Sequence, residues 1–368
     1  MKLFYSAAVI IFISFSASLY AEDKPFSLDY CIGEALKKNP LLARYRNRME
    51  QAGQDFLAKK TFFRPFAYFE AGYDRLSYVS PQKQRFIGDS GDDYRIDFAL
   101  RQPVFTGGRL TAEKDAAGLA KQVSGEDYRA VQLEIVYEVK TAYHKLLFSK
   151  EILKIRNDLL EHAQDFFDTS YELNRRTRIP RAETLLRIKA QLNEAKQEKI
   201  AAETEVLLSR QALLLAMGRD IGGELDIEEN QGEDSPILSA EGVRNNPEWR
   251  KTELEIKKSE KLADSARGDF YPQVNLQYRY GYEWSFEEGG SDWGAGLELS
   301  LPLWDWGLRR ANLKRTRFFS EETKEAAEMV RRKLTFELER ASLTYLSAGK
   351  KLEPAGENLE KMKESSPF

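Results

Sequence analysis

The chain has 368 residues, enough for two or three soluble domains of ordinary size. Its 56 Lys and Arg against 59 Asp and Glu leave a formal net charge of −3, so no strong field draws it toward nucleic acid or an acidic partner. A single cysteine excludes a disulfide within the chain, and the two histidines, His144 and His162, stand in a helical run without a metal-ligand spacing.

Residues 1–21, MKLFYSAAVIIFISFSASLYA, read as a secretory signal cut after Ala21. A lysine precedes a short apolar core, and small residues lead to the cut. No later apolar run reaches the ~18–20 residues of a membrane-spanning helix. If the mature chain crosses a membrane, it must do so with strands. The stretch 29–38 then reads as helix ending at Asn39-Pro40, with Cys31 expected as a buried or partly buried structural thiol. Helix resumes over 41–61, where Leu42, Tyr45, Met49, Ala52 and Phe56 keep a 3-4 spacing among charges.

Strands follow. A weaker alternation covers 66–78, and a clear one covers 94–100, where Tyr94, Ile96, Phe98 and Leu100 interleave with Arg95, Asp97 and Ala99. The segment RQPVFTGGRL (101–110) breaks the pattern: Pro103 is expected to end the strand, and Gly107 and Gly108 to supply the backbone angles of a bend. From there to about 177 the pattern is helical throughout. Ile135, Val139, Ala142, Leu146 and Leu153 form one stripe and Val136, Tyr143 and Leu147 a second, which suits a helix touching two neighbours. The turn NRRTRIPR (174–181) interrupts, and helix returns over 182–216 until Met217-Gly218. The acidic, glycine-containing stretch 219–236 reads as an exposed connector.

The order then repeats. Asn246-Pro247 and Pro272 match Asn39-Pro40 and Pro65 at an offset of 207; Pro302 and Gly307 match Pro103 and Gly108 at an offset of 199. Phe336-Glu337-Leu338 matches Tyr137-Glu138-Val139 at the same 199. This predicts an internal duplication: a first repeat over 22–218, with a hairpin near 65–104 and a helical hairpin near 108–217, a linker over 219–236, and a second repeat over 237–368. The second repeat has its hairpin near 272–302 and a long helix near 308–365. Its strands alternate too: Val274, Leu276 and Tyr278 face one way on the first, and Trp293, Leu297 and Leu299 on the second. With Tyr94, Ile96 and Phe98 they form the set expected to meet lipid, on strands of about ten residues that suffice to cross a bilayer when tilted. A soluble sheet with one wet face gives the same alternation. The secretory signal, and the lack of a spare apolar layer among the charged helices, favour the bilayer.

Taken together, LDYCIGEALKKNP (28–40), the turns PVFTGG and PLWDWG, LLLAMG (213–218) and the second NNP, in this duplicated order, resemble the TolC family of outer-membrane efflux proteins over essentially the whole mature chain. The resemblance implies a mainly α fold with two β-hairpins. Three copies would close a twelve-stranded β-barrel in the outer membrane, continued by an α-helical barrel through the periplasm. It further implies a homotrimer acting as passive exit duct of an efflux or type I secretion system, with a periplasmic adaptor docking at the helical tips and an inner-membrane pump supplying energy. Arg175, Arg176, Arg178, Pro180 and Arg181 occupy the adaptor-contacting tip by this correspondence; the alternatives for the four arginines are a duct mouth biased towards anions, or a solvated basic turn that completes the helix C-terminus. The 199-residue offset puts a second tip near 379, so the second return helix is expected to be missing, as in a truncated product or fragment or in an altered family layout. The competing readings are a periplasmic helical scaffold and a non-functional remnant of the duct. With neither a nucleophile elbow nor a phosphate loop in the sequence, no catalytic residue, metal or cofactor is expected.

Overall fold

The computed structural model describes residues 26–365, apart from 90, 180, 223–224, 229–239 and 287. The signal segment, Pro180 and most of the connector therefore lie outside the described residues. The elements in chain order are helices α1 (Leu28–Lys38) and α2 (Pro40–Thr61), strand β1 (Phe66–Arg75), the short α3 (Gln84–Ile87) and strand β2 (Asp92–Phe105). Helices α4 (Arg109–Thr177), α5 (Ala182–Ala216), α6 (Ala240–Arg244) and α7 (Pro247–Gly268) follow, then strands β3 (Gln273–Trp284) and β4 (Gly289–Ser300) and helix α8 (Leu308–Ser365). No described helix is long and apolar enough to cross a membrane.

The Asn-Pro pairs do more than stop the helix before them. The Asn39 side chain accepts a hydrogen bond from the Leu41 amide at 2.9 Å with Pro40 at the first helical position, and Asn246 accepts from the Glu248 amide at 2.8 Å ahead of Pro247. An asparagine oxygen satisfies an orphan N–H, and proline has no N–H to lose there. Each pair thus starts the next helix. Gly218, at φ 70°, closes α5 in the left-handed conformation that ends many helices.

The chain divides into two compact units, one from residues 1–37 and 138–232, the other from 38–137 and 233–368. In the first, α1, the second part of α4 and α5 bury Cys31, Ala35, Val139, Tyr143, Leu146, Leu213 and Met217. Ion pairs Lys145–Glu205 at 2.8 Å and Arg156–Glu198 at 2.6 Å set α5 antiparallel beside α4. Burial pushes the Cys31 thiol up to about 11 and the Tyr143 phenol up to about 12, so both stay neutral. The Tyr143 hydroxyl donates a hydrogen bond to the Glu228 carbonyl at 2.7 Å and lies 3.1 Å from that of Phe26.

Here the expected exposed connector needs correction. Leu225 and Ile227 are buried, and Ile227 forms a parallel bridge with Phe26. The acidic composition hid two apolar residues that the N-terminal segment and Tyr143 clamp in place.

In the second unit, α2 lies against the start of α4. Phe56 rests on Gly118, where an added Cβ would fall 3.3 Å from the ring, and Lys59 pairs with Glu113 at 2.8 Å. Burial raises the Glu113 carboxyl, but the hydrogen bonds and charges of Lys59 and Arg109 outweigh it and hold the group below its usual range. Small residues let α7 and α8 approach: Ser259 and Ser320 meet at 3.1 Å between hydroxyls, with Ala263 and Ala327 buried nearby. Beyond Leu334, α8 is exposed almost throughout.

The four strands make one antiparallel sheet in the order β1-β2-β3-β4, so the two hairpins join through β2 and β3. Pro103 does not end β2 as expected. It pairs with Asn275, and the strand runs on to Phe105 across a register shift between Pro103 and Phe105. Proline cannot donate to the ladder, and a bulge at that point tolerates the missing bond. In the second hairpin the strand does stop before Pro302, at Ser300.

Candidate functional site

Cross-strand register settles which side chains share a face. Directly paired residues point the same way, and neighbours along a strand point oppositely. The pairs Tyr94–Trp284, Ile96–Tyr282, Phe98–Tyr280, Leu276–Leu297, Tyr278–Ala295, Val274–Leu299 and Tyr280–Trp293 run across β2, β3 and β4. All nine residues expected to meet lipid — Tyr94, Ile96, Phe98, Val274, Leu276, Tyr278, Trp293, Leu297 and Leu299 — therefore lie on one face. Phe69 and Tyr73 of β1 join them through Phe98 and Tyr94. They escaped the sequence reading because β1 carries Ala and Gly between its aromatics and alternates weakly.

The face is uncovered. Trp293, Leu297 and Leu299 are 70%, 71% and 69% exposed. At the strand ends away from the long helices the aromatic rings crowd: Tyr73 and Tyr94 have ring centroids 4.8 Å apart, and Tyr94 and Trp284 5.6 Å. Contiguous apolar surface of this kind marks a contact with lipid or another chain rather than with water. Aromatic residues at its margin suit a membrane interface.

The opposite face is charged across β2, β3 and β4, and carries Phe66 and Tyr68 on β1. Arg279 bridges Asp97 at 3.3 Å and Asp292 at 2.8 Å across three strands, and Arg101 meets Glu298 at 3.3 Å. Gly281 makes room for the first row: a Cβ there would stand 2.7 Å from Asp97 Oδ1 and 2.8 Å from Asp292 Oδ1. The guanidinium and carboxylates are solvated, so each pair contributes at most about 1 kcal/mol; their role is to make one face wet. At the helix end of this face lies a cleft of about 870 Å³ lined by Arg64, Arg101, Lys59 and Arg109. Glu113, Glu298 and Asp269 neutralise three of those cations.

The strand-to-helix turns use the predicted glycines. Gly107, Gly108 and Gly307 have φ of 61°, 82° and 90°. Reading the sequence missed the residue before each. Asp305 accepts from the amides of Gly307 at 3.0 Å and Arg309 at 3.1 Å, and the Arg309 guanidinium at 2.6 Å, helped by these amide bonds, holds its carboxyl below the usual range. Thr106 takes the same place ahead of α4. A Thr or Asp just before a helical run was the available signal.

In the first unit, Arg175, Arg176, Arg178 and Arg181 are all exposed around the turn between α4 and α5, and Pro180 lies outside the described residues. Arg178 has φ 60° and donates its amide to the Asn174 carbonyl at 2.8 Å, so a left-handed residue ends α4. Glu172, 3.8 Å from Arg175, is a loose and exposed partner.

Among curated proteins, the solvent efflux pump outer membrane protein SrpC of Pseudomonas putida is 24% identical over 254 residues, covering 61% of this chain and 50% of its own length. The outer membrane protein OprJ of Pseudomonas aeruginosa is 25% identical over 236 residues, covering 60% and 48%. The chain thus spans about half the length of these relatives. Among solved structures, the outer membrane protein VceC of Vibrio cholerae matches with a TM-score of 0.79 at 16% identity, over 92% of this chain and 83% of that one. CusC matches at 0.79 and 16%, over 91% and 79%. The open state of the MtrE outer membrane channel of Neisseria gonorrhoeae matches at 0.74 and 20%, over 92% and 76%. At these identities the likeness shows a shared fold. The model of the outer membrane efflux protein family matches residues 31–219 and 239–366, and with the duplicated order of helices and hairpins this places the chain in that family.

Proposed function

We propose that the chain is the outer-membrane exit duct of a tripartite efflux or type I secretion system, a passive channel assembled from three copies. Each copy gives four strands to a twelve-stranded barrel whose apolar face meets lipid and whose charged face lines water. One observation carries this reading: the sheet exposes a continuous apolar face and leaves β1 and β4 without an outer partner among the described residues. Hydrocarbon accepts no unpaired backbone groups, so such a sheet can enter a bilayer only by closing on other copies. The exposed arginines at 175, 176, 178 and 181 are the surface offered to a periplasmic adaptor. The inner-membrane pump of such a system chooses the cargo and supplies the energy.

The test is fractionation of cells expressing the chain, followed by cross-linking in mild detergent. The duct reading expects the protein in the outer membrane, released only by detergent and cross-linked as a trimer. A periplasmic scaffold would leave with the soluble periplasm.

A further inference from the structure

The segment joining β1 to β2 does not stand away from the sheet. Residues 84–87 form α3, which lies on β3 and β4. Ile87 is completely buried, and its carbonyl accepts a hydrogen bond from the Ser285 hydroxyl at 2.7 Å. The Phe86 ring covers Gly290, where a Cβ would fall 2.8 Å from a ring carbon. Lys83, just ahead of the helix, pairs with Asp93 and reaches Glu283 at 4.0 Å.

These contacts fall on one side. Asp93 lies two residues from Arg95 on β2, Arg95 pairs with Glu283, and Glu283 pairs with Gly290. All belong to the charged face, at the strand ends away from the long helices. A connecting loop is ordinarily solvated, because its backbone groups need water. Here it sinks a whole isoleucine of its own and covers a carboxylate of β2, Asp93, that is 1% exposed. Asp93 Oδ2 has its lysine, while Oδ1 has no hydrogen-bond partner. A buried carboxylate satisfied on one oxygen depends on its single cation, and removing that cation leaves a charge that the interior does not tolerate.

We infer that residues 76–89 are a lid folded over the charged face, that Lys83 is the positioning residue that latches it, and that in the assembled duct the lid narrows the mouth of the barrel. The inference rests on the duct reading for its last step alone.

Lys83→Met keeps the stem and removes the charge. Two measurements follow it. Hydrogen exchange reads the amides of Phe86, Ile87 and Gly88, which donate to Lys83 and Gln84 carbonyls in the closed lid. Planar bilayers in potassium chloride read single-channel conductance. Expected are exchange at these amides faster by about tenfold or more with the β2–β3 ladder unchanged, a larger conductance, and near wild-type behaviour in Lys83→Arg. Should Lys83→Met fail to fold, Ser285→Ala removes the bond to Ile87 without touching a charge and is expected to move both readouts the same way. Lid amides that exchange at free-loop rates in the wild type overturn the lid. A conducting wild type whose conductance is indifferent to the freed lid overturns its role as a constriction. Channels absent from the wild type as well overturn the duct reading itself and the constriction with it, and the exchange pattern then judges the lid alone.

Discussion

Gly107 and Trp306 occupy the same place in the two halves, 199 positions apart, with φ of 61° and 53°. A left-handed tryptophan is strained, since its Cβ crowds the following carbonyl. Glycine at 107 answers a second demand that the other half lacks: a Cβ there would lie 2.5 Å from Tyr271 Cβ and 2.6 Å from the Gly268 carbonyl. At Gly307, φ 90°, a Cβ meets nothing. Gly307→Ala should therefore cost about 1–2 kcal/mol from backbone strain alone. Gly107→Ala should cost about 3 kcal/mol or more, because strain and overpacking add. Unfolding midpoints of the two variants in detergent decide it, and equal losses would mean that the close approach of Tyr271 is not made. The glycines were legible from sequence because they follow a proline in each half's turn. Trp306 was not legible, since a strained residue leaves no mark in composition or period.

At the scale of the element, α8 carries a seven-residue repeat: Leu338, Tyr345, Leu352 and Leu359 recur with Ala341, Ala348 and Ala355 between them. A 3-4 alternation of large and small apolar residues is the seam of closely packed helices. The same seam on α4 includes Val139, Leu146 and Ser149, all buried, whereas on α8 Tyr345 is 47% exposed and Leu352 74%. One position thus exists in two states, Leu146 at 0% exposure and Tyr345 at the 199-residue offset. Leu146→Ala should cost about 2–5 kcal/mol. Tyr345→Ala should stay within about 0.5 kcal/mol in the dispersed chain. If thermal unfolding shows Tyr345→Ala as costly as Leu146→Ala, another helix already covers α8 in solution.

The periods of α4, α5 and α8 were readable because strands and loops do not sustain a 3-4 spacing over dozens of residues. The lid was not, because four helical residues, QRFI, show no period, and their burial comes from strands about two hundred positions away. The two buried residues of the otherwise exposed connector escaped notice for a related reason. Its acidic residues dominate the composition, and the burial of Leu225 and Ile227 depends on Phe26 and Tyr143, far off in sequence.

For the molecule as a whole, the decisive asymmetry is between the faces of one sheet. Alternation gave both faces from sequence, but the register that lines up Trp293, Tyr280 and Phe98 across three strands needed the structure. The charged side has its ion pairs and its lid, while the apolar side has no cover among the described residues. In water that exposure is unfavourable at about 25 cal/mol per Å², and a bilayer together with neighbouring copies removes it.

The most direct measurement places nitroxide labels at single cysteines along β4, in a Cys31→Ser background, and compares their accessibility to oxygen and to a water-soluble nickel chelate in outer membranes. Positions 293, 297 and 299 are expected to meet oxygen, which concentrates in hydrocarbon, and positions 292, 296 and 298 to meet nickel. Positions 293, 297 and 299 as open to nickel as their neighbours, or shielded from both reagents, would contradict this.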